Sequence, residues 1–225
     1  MKTYAIIPSG GEGKRISGSL PKQYRQFDGK EMIAYTLETF QKCDEVDEIV
    51  IAARDDYFEL ISKLKEKYKI TKLSRVVSGG KERQDSVYNA FNSIKWGIGD
   101  LIAVHDAARP LLPNDILTSA IISAKKYDNI VVAYKAKDTL VKADDFIESY
   151  LSRDEIYFVQ TPQIFRAEIL KEAFEKAIAD NFYGTDESML VKRASYDVRI
   201  VEGSAFNFKV TTDSDLELFQ KLIAK

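Results

Sequence analysis

The chain has 225 residues, 45% of them hydrophobic and 30% charged, with 33 Lys plus Arg against 35 Asp plus Glu. That length suits one domain with a sizeable core. The composition is too apolar for disorder, and a net charge of −2 lacks the positive excess of a nucleic-acid binder.

Met1-Lys2-Thr3 runs into the apolar segment Tyr4-Ala5-Ile6-Ile7-Pro8 with no signal-peptide apolar region. That segment reads as a buried strand closed by the glycine loop Ser9-Gly10-Gly11-Glu12-Gly13. Glu31 to Lys42 carries apolar residues at helical spacing. The single cysteine, Cys43, follows it and reads as packing; with no second thiol there is no intrachain disulfide, which fits a reducing compartment. Ile49 to Ala53 is a second buried strand, Asp55 to Tyr68 a helix, and Leu73 to Val77 a strand ending in Ser78-Gly79-Gly80. Glu82 to Trp96 is helical, Leu101 to Val104 a strand, Pro113 to Tyr127 a helix capped by Asn114 or Asp115, and Ile130 to Ala133 another strand.

Strands alternating with helices imply a mostly parallel sheet covered on both faces. Right-handed crossovers then gather the strand-to-helix loops at one sheet edge, where such folds bind ligands. The segments after Pro8, Val77 and Val104 are therefore expected to converge. From Lys135 to Gln163 the alternation breaks into short extended pieces (Thr139 to Val141, Phe146-Ile147, Ile156 to Val159). These read as a β-arm over about residues 136–160, or as a plain surface hairpin. Helices return at Glu168 to Ala179 and near Asp186 to Lys192. A strand pair is expected around Val198 to Val201 and Phe206 to Val210, and Asp213 to Ala224 closes the chain as a helix. No apolar run reaches the ~18 residues of a membrane span, so cytoplasm is the expected location.

A glycine loop between strand and helix cradles phosphate when its N–H groups converge. It is not a Walker A loop, because Gly13-Lys14 is followed by Arg15 and Ile16 where a hydroxyl is needed. It is not the dinucleotide fingerprint either, because the third glycine is missing after Gly11-Glu12-Gly13. What remains is a glycine loop followed by Lys14, Arg15 and Lys22, cations suited to a triphosphate or simply to a solvated basic loop.

Ser9-Gly10-Gly11-Glu12-Gly13-Lys14-Arg15 with Pro21-Lys22-Gln23 resembles the signature of the 2-C-methyl-D-erythritol 4-phosphate cytidylyltransferase family of the non-mevalonate isoprenoid pathway. So do Gly79-Gly80-x-x-Arg83-x-x-Ser86-Val87, His105-Asp106-Ala107-Ala108-Arg109-Pro110, Asp138-Thr139, Thr161-Pro162-Gln163 and Asn207-x-Lys209-Val210-Thr211. These segments fall in family order across nearly the whole chain. The resemblance implies a Rossmann-like three-layer α/β nucleotidyltransferase fold with a projecting β-arm. It implies CTP and a polyol phosphate as substrates, pyrophosphate as leaving group, and Mg²⁺ held mainly by triphosphate and water rather than by a protein metal cage.

By the same resemblance Arg15, Lys22 and Lys209 stabilise the reacting phosphorus. Pro8, Ser9, Gly10, Gly11, Gly13, Gly80, Lys81, Arg83 and Ser86 hold the nucleotide. Asp106, Arg109 and Thr161 contact the second substrate, and Thr139 and Arg153 reach it from a neighbouring subunit, so a homodimer is implied. Two positions depart from the family pattern. Ser9-Gly10-Gly11 stands where Ala-Ala-Gly is frequent, and Lys81 where an acid is frequent; main-chain contacts tolerate both. A competing reading of Asp106 and Arg109 is a local i, i+3 ion pair. His105, the only histidine, reads as a structural hydrogen-bonding group, and Asp186 as a helix cap. The neighbouring possibilities are a ribitol 5-phosphate cytidylyltransferase and a catalytically silent nucleotide-binding module.

Overall fold

The computed structural model describes residues 1–11 and 20–224. The first half follows the expected alternation: β1 (Thr3–Pro8), the short β2 (Gln26–Phe27) and β3 (Lys30–Glu31), α1 (Met32–Lys42), β4 (Glu48–Ala53), α2 (Phe58–Lys67), β5 (Leu73–Ser78), α3 (Arg83–Ser93), β6 (Leu101–Val104) and α4 (Asn114–Tyr127). Then come β7 (Ile130–Lys135), β8 (Leu140–Ala143), β9 (Ile147–Leu151), β10 (Tyr157–Arg166), α5 (Ala167–Ala179), α6 (Glu187–Arg193), β11 (Arg199–Glu202) and α7 (Asp213–Ile223).

Seven strands form one sheet in the order β11-β7-β10-β6-β1-β4-β5. β1, β4, β5 and β6 are parallel, as are β11 and β7, while β10 runs antiparallel to both β6 and β7. Successive residues of a strand face opposite sides, so the sheet feeds two cores. Ala5 and Ile7 join Ile33, Leu37 and Phe40 of α1, Ile61 and Leu64 of α2 and Leu117 and Ile121 of α4. Tyr4 and Ile6 join Val87 and Phe91 of α3, Leu170 and Phe174 of α5 and Leu190 of α6. Both faces being covered, the strands tolerate no polar alternation. Each fully buried Ile, Leu or Phe contributes about 1.5–3 kcal/mol. Cys43 is buried in the first core, 3.5 Å from the Thr118 hydroxyl, in the packing position expected of it.

Four local expectations are corrected. Ile156 to Val159 does not belong to the arm, because Tyr157, Phe158 and Val159 pair with Lys135, Tyr134 and Ala133 of β7 and lead into the buried half of β10. The arm is the β8–β9 hairpin alone. A hydrophobic pattern cannot distinguish these cases, since the pairing partners lie far away in sequence. Phe206 to Val210 is not a strand; side chains and isolated main-chain carbonyls, rather than a ladder, take up its main-chain groups, as described below. The cap position of α4 is Pro113, with extended ψ and no side-chain hydrogen bond, and Asp115 lies in the first turn. α3 ends at Ser93, short of Trp96, and its start is fixed by a capping box between Glu82 and Asp85.

Candidate active site

The segments after β1, β5 and β6 meet at the carboxyl edge of the sheet. With Lys209 from near the C-terminus they enclose a cleft of about 300 Å³ lined by Pro8, Ser9, Gly10, Gly11, Lys22, Gln23, Gly80, Lys81, Arg83, Ser86, Asp106 and Lys209, among others. Its glycine loop is pinned from behind. Gln23 Nε2 donates to the carbonyls of Ser9 and Gly11, both at 2.9 Å. Ser9 Oγ lies 2.9 Å from Tyr24 Oη, and burial raises the Tyr24 phenol to about 12. Ser9 N–H donates to Ala52 O and its carbonyl receives both Gln23 and Tyr24. Ser9 therefore gives the cleft shape, with its main chain engaged inside the protein.

The opposite wall is the turn before α3. Ser86 Oγ accepts from Gly80 N at 3.0 Å and donates to Glu82 O at 3.1 Å. A Cβ at Gly80 would meet Asp85 Cβ at 2.2 Å, so the close turn admits only glycine. Lys81 is exposed beside it.

The floor is a knot of charge centred on Asp106. Its Oδ1 accepts from Arg83 Nε at 2.9 Å and its Oδ2 from Lys209 Nζ at 2.8 Å. Arg83 Nη1 also reaches Glu187 Oε1 and Oε2 at 2.8 and 2.9 Å. Burial opposes ionisation of Asp106, but Arg83, Lys209 and Arg109 overcome it and hold the carboxyl far below the usual carboxylate range. Burial likewise opposes the Arg83 charge, but Glu187 and Asp106 outweigh it and hold the guanidinium above its ordinary value. Lys22 Nζ donates to the carbonyl of Val210, next to Lys209, so cations from the two ends of the chain meet in one cleft.

Lys209 is placed by a buried network. Asn207 Nδ2 donates to Thr161 O at 2.7 Å, while Asn207 O accepts from Arg109 Nη1 at 2.7 Å and Gln160 Nε2 at 3.1 Å. Val210 N–H closes the segment on Ala108 O. These bonds replace the strand ladder expected there. Thr161 sits where the register of β10 against β7 breaks, between Val159 and Gln163. With Asp106, Arg109, Arg83, Asp186 and Lys209 it lines a second cavity of about 150 Å³.

A family model described as IspD, 2-C-methyl-D-erythritol 4-phosphate cytidylyltransferase, matches residues 3–225. The chain belongs to the 2-C-methyl-D-erythritol 4-phosphate cytidylyltransferase family. A relative of that name from Geobacter metallireducens is 39% identical over 227 residues, covering 99% of this chain and 98% of its own length. One from Syntrophus aciditrophicus is 36% identical over 227 residues, covering 100% and 97%. The crystal structure of 4-diphosphocytidyl-2C-methyl-D-erythritol synthase from Anaerococcus prevotii superposes with a TM-score of 0.86 at 28% identity, covering 100% of this chain and 96% of that one. The ribitol 5-phosphate reading is not favoured by these matches.

Measured against the family signature, the fold gathers Pro8, Ser9, Gly10, Gly11, Lys22, Gly80, Lys81, Arg83, Ser86, Asp106 and Lys209 in the cleft, and Arg109 and Thr161 beside it. Gly13 and Arg15 lie outside the described residues. Thr139 and Arg153 are exposed at the two ends of the hairpin, outside both cavities. Asp106 and Arg109 do not form the local i, i+3 ion pair; their partners are Arg83 and Lys209 for one, and the carbonyls of Asn207 and Val159 for the other. Asp186 caps α6 as expected, accepting from Met189 N. Sequence reasoning gives no role to Glu187, Gln160 or Gln23. Nothing in composition separates Glu187 from a surface acid of the same helix start; only its burial against Arg83 does.

Proposed function

We propose that this cleft binds CTP and 2-C-methyl-D-erythritol 4-phosphate and yields 4-diphosphocytidyl-2-C-methyl-D-erythritol and pyrophosphate. The observation that carries the proposal is the meeting of Lys22 and Lys209 over one cleft floor, opposite a glycine loop pinned by Gln23. In the reaction a phosphate oxygen of the polyol phosphate forms a bond to the α-phosphorus of CTP. The bond from that phosphorus to the bridging oxygen breaks, and the electron pair leaves with pyrophosphate. An anion attacking an anion needs fixed cations and alignment more than a covalent intermediate. Lys22, Lys209 and Arg15 take that part, with Lys22 and Lys209 pre-placed by the contacts described above. Gly10, Gly11, Gly80, Lys81 and Ser86 hold the nucleotide. Arg83, expected among the nucleotide contacts, instead commits its guanidinium to Asp106 and Glu187 and braces the cleft floor from below. Asp106, Arg109 and Thr161 receive the polyol phosphate at the second cavity.

Both Asp106 oxygens are already taken by cations, and among the described residues no three His, Cys, Asp or Glu cluster to hold a metal ion. Mg²⁺ carried on triphosphate oxygens and water would neutralise charge on the leaving pyrophosphate. The hairpin completes the site of a second copy, delivering Thr139 and Arg153. The support is its apolar exposure, with Phe146 84%, Tyr150 71% and Ile147 58% accessible, against the small patches of a typical monomer surface. Among the described residues no helix is long and apolar enough to cross a membrane. The lone thiol, buried in the core, suits a reducing cytoplasm.

The test is pyrophosphate release from CTP and Mg²⁺ with a panel of acceptors. Methylerythritol 4-phosphate is expected to be turned over well ahead of ribitol 5-phosphate. CTP binding with no release for any acceptor would reduce the protein to a nucleotide-binding module, and faster release with ribitol 5-phosphate would reassign the substrate.

A further inference from the structure

His105 is the only histidine of the chain and is fully buried, yet no step of the reaction uses it. Its ring is seated against Phe40, centroid to centroid at 5.1 Å, and both nitrogens are engaged. Nε2 is 3.1 Å from the Arg109 carbonyl oxygen, and Nδ1 is 3.1 Å from Thr161 Oγ1. A carbonyl oxygen only accepts, so Nε2 carries the hydrogen. Burial pushes the imidazole down to about 4, so at neutral pH Nδ1 is a bare lone pair that receives the Thr161 hydroxyl hydrogen. The Asp106 N–H donates to the same threonine oxygen at 3.1 Å. A hydroxyl has one hydrogen and two lone pairs. The hydrogen goes to His105 and one lone pair to Asp106, leaving a single lone pair at the wall of the second cavity.

We propose that His105, as the Nε2–H tautomer, is a positioning residue that makes Thr161 a pure acceptor toward the second cavity, selecting a hydroxyl of the polyol there and rejecting a phosphate oxygen. This rests on reading that cavity as the polyol phosphate side. A phosphate oxygen meeting a lone pair is repelled, whereas a hydroxyl donates into it. The phosphate is left to the cations of the same cavity, Lys209 and Arg109, and Arg109 Nε is a buried donor without a partner among the described residues. The ring that directs Thr161 also anchors the Arg109 carbonyl, so one imidazole sets both halves of the recognition.

A single histidine makes the test direct. Nitrogen NMR of the intact protein labelled at histidine is expected to give a protonated Nε2 and an unprotonated Nδ1 at neutral pH; the opposite tautomer, or two protonated nitrogens, overturns the proposal without reference to activity. The kinetic arm uses two variants. His105→Asn places an amide oxygen near Nδ1 and keeps an acceptor for Thr161, whereas His105→Gln keeps only a donor for the Arg109 carbonyl. His105→Gln is expected to raise KM for the polyol phosphate about tenfold with KM for CTP unchanged, and His105→Asn to restore most of that loss. In a Thr161→Val background His105→Gln is expected to add little, because it acts through Thr161. Equal damage from Asn and Gln, or damage confined to CTP, would overturn the proposal. If His105→Gln fails to fold, the ring nitrogen shifts still decide. A wild type that released no pyrophosphate would overturn the functional reading, and with it the choice of ligand, while the tautomer would still be settled by NMR.

Discussion

The floor of the cleft and the β8–β9 hairpin carry charged groups of the same proposed reaction in opposite states of preparation. At the floor, Asp106 is buried with both oxygens bonded to cations, and its neighbours Arg83, Thr161 and Asn207 are each held by other chain segments. At the hairpin, Arg153 is exposed, with a 2.9 Å bond to the Lys137 carbonyl, and every residue of β9 is exposed. One region has its electrostatics fixed before any substrate arrives. The other is a paired but solvent-facing hairpin whose charges are fixed by few contacts of their own. A pre-arranged cation costs no reorganisation at the moment of reaction; a group supplied by a partner makes activity depend on assembly.

The contrast is open to test at three residues. The largest effect is expected beneath the floor, from acid. The folded chain refuses a proton on His105 until pH falls to about 4, whereas an unfolded histidine takes it near 6.5. The unfolded state thus binds more protons between these values, and stability falls as pH drops through that window. The contribution is fully present above about 6.5, is lost down to about 4 and changes no further below that, amounting to about 3 kcal/mol. Asp106 and Arg109 flank the ring, so the clean readout is the difference between wild type and His105→Gln in urea unfolding from pH 7.5 to 4. A difference that does not vary with pH would mean the floor is not pre-arranged around a neutral ring.

Next in size is Lys22→Ala, expected to cut turnover at least about a hundredfold while CTP affinity stays within about an order of magnitude, since transition-state charge is its target. Single-turnover rates beside equilibrium CTP binding separate the two, and unchanged turnover would remove Lys22 from the mechanism.

The smallest single-variant effect is expected at the hairpin. Arg153→Ala should raise KM for the polyol phosphate about tenfold with CTP little affected, the effect of removing one charge-assisted hydrogen bond at an exposed position. Mixing Lys22→Ala with Arg153→Ala subunits then asks whose cleft the arm serves. After random reassortment, half the dimers are mixed and each holds one intact site, so about a quarter of wild-type activity should return. No recovery on mixing would place Arg153 at its own chain's cleft and dissolve the contrast.

Much of this architecture is legible in the order of residues. Continuous apolar strands such as Ile49 to Ala53 announce a sheet covered on both faces, and a glycine loop after Pro8 announces the edge where ligand binds. The motif Asn207-x-Lys209 can be matched to a family, yet its local pattern reads as a strand and the chain there forms none. Gln160, Arg109 and Ala108 capture that main chain, and none of them is near it in sequence. β10 escapes the local pattern for the same reason: Tyr157 to Val159 look like the rest of an arm until β7 pairs with them.

Local pattern determined most of the helices and buried strands and the place of the glycine loop, because periodicity and turn preferences act over a few residues. Folding alone decided that Asp106 is shared by Arg83 and Lys209, that Glu187 is a buried counter-ion and that His105 directs the Thr161 hydroxyl. Those are contacts between residues 23 to 104 positions apart, and the strength of a charge or the direction of a hydrogen bond depends on what lies across the gap and on how much water has been excluded from it.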